Sequence, residues 1–418
     1  MSMAEPAFSF SELAQQVMQW SEALAAISQS KSYLDRRYLT TEHKQANALV
    51  GDWMRNAGMH CNEDKAGNLI GRYPSESNNA PRLLVGSHLD TVPNGGKYDG
   101  MLGVLAPLAL IHYLHQSAIQ LPFHIDVIGF CDEEGTRFGT TLLGSRALTG
   151  QWQAEWAELT DNDGISLRAA MQHAGLDFDN VKDCQITDPE NLLGYLEVHI
   201  EQGPVLEAND LPVGVVTAIS GARRLLFEVT GQAGHAGTVP MSLRQDALAA
   251  SCEMVLAVER LAIEQGVVAT VGLLENAPNS VNVISGNTQF SIDIRSEDND
   301  LRDSTLESIH AVISDIAKHR NVQVAYRQTH AAPSVHCDLE LQTLLLRSIE
   351  NLGVSPYSLP SGAGHDAMAM ADICPVAMLF VRCEKGISHN PAEAIFVDDV
   401  EVTLNVLDQF IRQLKARF

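Results

Sequence analysis

Four segments of this 418-residue chain place imidazole or carboxylate groups directly behind short apolar runs. The stretch 86–100, GSHLDTVPNGGKYDG, carries His88, Asp90 and Asp99 after the run 82–85. Glu133 and Glu134 follow the run 123–130, and His199 falls near the end of the run 195–200, with Gln202 just beyond. His389, in GISHNPAE, follows the run that begins at Pro375. Imidazole with carboxylate is a ligand set for zinc or manganese, and Asp90 could hold the His88 tautomer from behind. Five ligands, His88, Asp99, Glu134, His199 and His389, suit two divalent ions if Asp99 bridges them. One ion then takes His88 and His199, the other Glu134 and His389. Such a pair holds a hydroxide and polarises a substrate carbonyl. Neighbouring glutamates in an extended turn point different ways, so Glu133 is left to carry a proton from water to the leaving nitrogen.

Each group also has a plainer reading: His88 as a hydrogen-bonded histidine at a strand end, Glu133-Glu134 as a solvated acidic turn. The elements behind them favour the chemistry. The apolar runs read as buried strands of a parallel or mixed sheet, and strands of one sheet put their carboxyl ends, and hence their ligands, on one edge. Helices are expected over 11–27, over 41–57 with Gly58 closing the second, and over 101–114, the last too short to span a bilayer. The stretch 152–191 reads as helices and loops on the surface. From 213 to 330 the pattern changes to strand 214–231, helix 243–265, strands 268–274 and 288–296, helix 301–318 and strand 322–327. That βαββαβ order predicts a compact α+β unit inserted into the first domain. Beyond it, a helix over 339–351, a strand over 375–381 and a helix over 400–414 resume the larger layer. The expected fold is therefore α/β, a mixed sheet with helices on both faces formed by 1–212 and 331–418, with the insertion at 213–330.

Composition narrows the partners. Lys plus Arg number 28 against 52 Asp plus Glu, a net charge of −24 that disfavours nucleic acid and anionic membrane surfaces. Seven scattered cysteines, none in a closely spaced pair, read as reduced thiols of a cytoplasmic protein, and the N-terminal residues show no secretory pattern.

Six blocks in register, GSHLDTVPNGGKYDG, CDEEGTRF, HIEQGP, GHAGTVPM, SGAGHDA and GISHNPAE, resemble the dinuclear-metal amidohydrolases related to aminoacylases and di-zinc carboxypeptidases. The nearer resemblance is to the branch holding allantoate amidohydrolase, N-carbamoyl-L-amino acid hydrolase, ureidoglycolate amidohydrolase and β-ureidopropionase. It implies the same five ligands, Glu133 as general base, and an inserted lid domain that dimerises. His199 stands where peptidase relatives tend to carry a carboxylate. The resemblance further implies that His235 of GHAG reaches the partner subunit's site and stabilises the oxyanion. It makes Asn282, Arg295 and Gln202 substrate-binding residues and puts Gly364 and His365 in a loop closing over the substrate. Read alone, His235 is a turn histidine, Arg295 a strand-end arginine and Asn282 a turn residue. Ala222 stands where the allantoate enzymes tend to have glutamine, which bears on the choice among ureido substrates. Cleavage of a terminal ureido C–N bond is the implied reaction, allantoate the first substrate and an N-carbamoyl-L-amino acid the second. The ligand types suit zinc, manganese, cobalt or nickel alike.

Overall fold

Two capped helices open the described part of the chain. In α1 (Phe10–Ala25) the Ser9 hydroxyl accepts from the Glu12 N–H at 3.2 Å while the Glu12 carboxylate accepts from the Ser9 N–H at 2.8 Å, a reciprocal box that satisfies two orphan amides. In α2 (Thr41–Asn56) the Thr40 hydroxyl accepts from the His43 N–H. Strands β1 (His60–Glu63), β2 (Leu69–Tyr73) and β3 (Arg82–His88) follow, then α3 (Met101–Gln116), β4 (His124–Phe130), β5 (Leu192–Ile200) and β6 (Val213–Ile219). The α3 sequence is apolar on every side and the helix is buried over nearly its whole length, as its composition requires.

The computed structural model describes residues 8–418 and divides them into two compact units, one running up to Thr217 and resuming over Cys337–Phe418, the other Ala218–His336. Residues 1–7, which began the range expected for the first domain, lie outside the described residues. The division falls at Thr217 rather than at 212 because β6 starts by pairing Val213 and Val215 with Val381 and Leu379 of the large sheet. The single strand expected over 214–231 is accordingly two, β6 and β7 (Gly221–Thr230), broken at Ser220.

Within the second unit β7 lies between β13 (Gln323–Ala332) and β12 (Asn287–Ser296), all antiparallel. Short strands β8 (Gly234–His235) and β11 (Val283–Ile284) form a separate ladder. The strand expected over 268–274 is interrupted into β9 (Val268–Thr270) and β10 (Leu274–Ala277), both paired with β12. Leu225, Phe227 and Val229 of β7 and Phe290, Ile292 and Ile294 of β12 alternate inward against helices Ala247–Gln265 and Asn299–Arg320. The unit closes with β14 (Val335–His336), paired with β6.

The first unit then adds helix Leu339–Asn351, β15 (Ser358–Ser361), β16 (Val376–Val381) and the C-terminal helix Val397–Lys415. Its sheet runs β1-β2-β4-β3-β5-β16-β6, with β4, β3, β5 and β16 mutually parallel. This is the mixed α/β sheet the sequence predicts. Along β5, Leu196, Val198 and Ile200 face the core that contains α3, whereas Tyr195, Glu197 and His199 face the opposite layer, where the Ala367 N–H donates to Glu197. Period two therefore puts His199 on the face away from α3. The stretch 152–191 is not merely surface: Trp156, Leu167, Met171, Phe178 and Val181 bury themselves with Tyr38, Cys131 and Phe138 in a core of their own. Their spacing hides this, because the partners come from distant segments. Among the described residues no helix is long and apolar enough to cross a membrane.

His43, in the first turn of α2, is buried with its ring edge-on to Tyr38 at 5.8 Å and its Nε2 without a hydrogen-bond partner among the described residues. Burial lowers its pKa from 6.5 to about 4, outweighing the pull of Asp90, so the fold holds it neutral while the unfolded chain protonates it below about pH 6.5. Stability is thus intact above that value and falls between pH 6.5 and about 4, by about 3 kcal/mol from this group. His43→Phe is expected to flatten the denaturation free energy across that window relative to wild type. Parallel curves would show that His43 does not contribute.

Candidate metal centre

The carboxyl ends of the four parallel strands bring the predicted groups to one edge. His88 is the last residue of β3, Glu133 and Glu134 follow β4, His199 is the penultimate residue of β5, and His389 follows β16. Among the non-glycine residues that take left-handed backbone in the loops beyond the strands are Asp132 (φ 53°), Gln202 (φ 56°) and His389 (φ 52°). Such conformations persist where surrounding contacts over-determine them. Gly100 (φ 77°) is needed for a different reason: a Cβ there would lie 2.4 Å from the His88 ring.

Asp99 is the hub. Its Oδ1 lies 3.5 Å from His88 Nε2 and 3.2 Å from His199 Nε2, and its Oδ2 lies 3.5 Å from His389 Nε2. The Glu134 carboxylate approaches the same His389 nitrogen at 3.4 Å. Candidate ligand atoms fall into three groups, each within 4.8 Å: His88, Asp99 and His199; Asp99, Glu134 and His389; and His88, Glu133 and Glu134. The first is wholly buried, whereas His389 is half exposed.

The donor chemistry fits a cation. His88 Nδ1 lies 3.0 Å from the Asp90 main-chain oxygen and His199 Nδ1 2.9 Å from that of Ile200, so each ring donates from Nδ1 and turns Nε2 toward Asp99. Burial alone would lower the pKa of both rings, yet carboxylates reverse it, Asp90 and Asp99 at His88 and Asp99 at His199. The Glu134 carboxylate raises His389 to about 9. Protons are held where positive charge is demanded.

Asp90 and Gln202 have partners beyond those the sequence suggests. Asp90 meets His88 Nδ1 through its main-chain oxygen at 3.0 Å, with its carboxylate 3.6 Å from the same nitrogen, and that carboxylate also accepts the N–H groups of Glu133 and Glu134 at 3.1 and 3.3 Å. That contact curls the Glu133-Glu134 turn, and the two carboxylates share a neighbourhood with His88 instead of diverging. Burial pushes the Glu133 carboxyl well above its usual range. Gln202, expected to bind substrate, donates its amide to Asp99 Oδ2 at 2.8 Å.

His365 is buried: it shares a hydrogen bond with the Ser361 hydroxyl at 2.8 Å and its ring packs edge-on to His199 at 4.5 Å. Gly364 beside it is exposed. Within the second unit, the His235–Val283 pairing of the short ladder and the Ala236 N–H bond to the Asn282 carbonyl at 3.0 Å set His235 and Asn282 side by side. Gly237 N–H donates to His235 Nδ1 at 3.1 Å, which leaves the ring proton on Nε2 of the exposed side chain. The Arg295 guanidinium grips Asp293 through two bonds of 2.8 Å, and Arg224 holds the same carboxylate. Arg223 pairs with Asp303.

Several groups that support the centre have no role legible in the linear order. Buried Glu197 accepts from Ser87 Oγ at 2.8 Å and from the Ala367 N–H at 2.9 Å, behind the histidines. Ser388 Oγ donates to Asp99 Oδ2 at 2.6 Å, and Glu393 accepts from the Tyr98 and Asp99 amides. Ser388 and Glu393 flank His389 in GISHNPAE, so proximity to a candidate ligand was their only signal.

Residues 84–413 match the profile of peptidase family M20/M25/M40. The chain is 41% identical over 380 residues to an N-carbamoyl-L-amino acid amidohydrolase of Geobacillus stearothermophilus, covering 91% of this chain and 93% of that relative. It is 38% identical over 423 residues to a probable allantoate deiminase of Oryza sativa subsp. japonica, covering 93% and 86%. The crystal structure of a hydantoinase/carbamoylase family amidase from Burkholderia multivorans superposes with a TM-score of 0.89 at 31% identity, covering 95% and 97%. An aminopeptidase PepT from Bacillus cereus shares the fold at a TM-score of 0.66 and 17% identity. Agreement of sequence and fold along almost the whole chain makes this protein a hydrolase of peptidase family M20/M25/M40, within its amidohydrolases.

Proposed function

We propose that the protein hydrolyses the terminal ureido C–N bond of a small carboxylate, with two divalent ions, zinc or manganese, at the centre described above. The convergence of His88, Asp99, Glu134, His199 and His389 on one strand edge, with Glu133 among them, carries this reading. His88 and His199 would hold one ion, Glu134 and His389 the other, and Asp99 both. When bound, such ions supply Lewis acidity and lower the pKa of water in the site. Glu133 takes the proton of the attacking water and returns it to the leaving nitrogen as the carbon–nitrogen bond breaks. The products are the amine and carbamic acid, which decomposes to ammonia and carbon dioxide.

Asn282 and Arg295 bind the substrate carboxylate, Asp293 fixing the plane of the Arg295 guanidinium. The functional form is a homodimer in which His235 donates its Nε2–H to the oxyanion in the partner's site, a role its tautomer suits. A cytoplasmic location agrees with the seven unpaired cysteines among the described residues.

Allantoate remains the first substrate on the resemblance, and an N-carbamoyl-L-amino acid the second reading, favoured by the 41% identical relative. Assay of allantoate, ureidoglycolate, several N-carbamoyl amino acids and a dipeptide with each metal is expected to show ammonia release from a ureido substrate. Amino acid release from the dipeptide alone would replace this reading by a peptidase.

A further inference from the structure

We infer that Glu393 is a positioning residue that presets the Asp99 carboxylate before any ion or substrate arrives; this rests on Asp99 being a ligand, as proposed above. Glu393 is 2% exposed, and its Oε1 accepts from two successive amides, Tyr98 N–H at 2.8 Å and Asp99 N–H at 3.1 Å. One buried carboxylate oxygen thus clamps the backbone that carries the hub. Losing the acceptor would leave two buried N–H groups unpaired.

Three further observations point to the same role. The segment around Glu393 is itself fixed, since the Asn390 carbonyl accepts from the Glu393 N–H at 3.0 Å and the Ala394 carbonyl from the Glu384 N–H at 2.8 Å. The same loop contributes Ser388 Oγ to Asp99 Oδ2, so Asp99 is tied to it through both backbone and side chain. The Glu393 carboxyl also packs onto Gly96, where a Cβ would lie 2.0 Å from its Cδ. Of the residues in GSHLDTVPNGGKYDG, Gly96 is therefore shaped to the partner that holds Asp99. Contacts that orient a ligand in this way commonly govern metal affinity.

The test is calorimetric titration of metal-stripped protein with manganese(II), with thermal unfolding of the same metal-free samples. Glu393→Ala is expected to weaken manganese binding by about 10–100-fold. Glu393→Gln keeps an acceptor oxygen and restores most of that loss. Gly96→Ala leaves the carboxylate in the chain but displaces it, and should reproduce the Glu393→Ala defect even if that variant proves too unstable to assay. In the double variant the alanine at 96 meets no carboxylate, so its effect should vanish. Wild-type manganese affinity in folded Glu393→Ala or Gly96→Ala, a Glu393→Gln as weak as Glu393→Ala, or additive effects at the two positions would overturn the inference. Asp99→Asn separates the two levels: if it binds manganese like wild type, the metal-centre reading itself fails, whereas its loss alongside intact Glu393→Ala binding refutes only the role of Glu393.

Discussion

Glu133→Gln is expected to lower turnover by about 10²–10⁴-fold while leaving the bound metal unchanged. The substitution preserves shape, and the bond from the Glu133 amide to Asp90 is a main-chain one that survives it. What disappears is a buried carboxylate able to accept a proton, and burial has already pushed that group toward holding one. Because Glu133 lies within the same group as His88 and Glu134, it could in principle ligate instead. Metal content measured on the variant decides between these: full loading with lost turnover assigns proton transfer, reduced loading assigns ligation, and retained turnover removes Glu133 from the reaction.

Asp99→Asn should abolish turnover and weaken manganese binding by more than the ~10–100-fold typical of residues that merely support ligands. Asp99 is common to two of the candidate groups, so a single change reaches both. The amide cannot satisfy the site in either orientation. With its NH2 at the Oδ2 position it opposes the Gln202 amide and the Ser388 hydroxyl, both donors. Turned the other way, it points N–H groups at the Nε2 atoms of His88 and His199, which stand 3.5 and 3.2 Å from Oδ1. The lost charge also leaves the buried histidines without the carboxylate that holds their positive charge. Near-normal manganese affinity would overturn the reading of this cluster as a metal centre.

The particular residues mark how far the linear order reached. The convergence of His88, Glu134, His199 and His389 was legible because each lies at or beyond the end of an apolar run, and four parallel strands with candidate ligands at their carboxyl ends must deliver those groups to one edge. The α+β insertion was legible from the βαββαβ order of its elements, and Phe227, Val229, Phe290 and Ile292 alternate inward as a one-sided sheet demands. The break at Ser220 was not, because β6 and β7 are both apolar enough to read as one strand and only pairing with different sheets separates them.

By itself, then, the sequence determined the layer architecture, the loops that carry the candidate ligands and the family, for these follow from local periodicity and from residue types at fixed spacing. Tertiary structure alone decided which atoms face which. It turned Asp90 toward the Glu133-Glu134 amides, engaged Gln202 with Asp99, buried His365 against His199, and brought Glu393 beneath a loop almost 300 residues earlier. Hydrogen-bond partners so distant in the chain leave no periodic trace, since their pairing is fixed by the geometry of strand ends and loops rather than by anything adjacent to them.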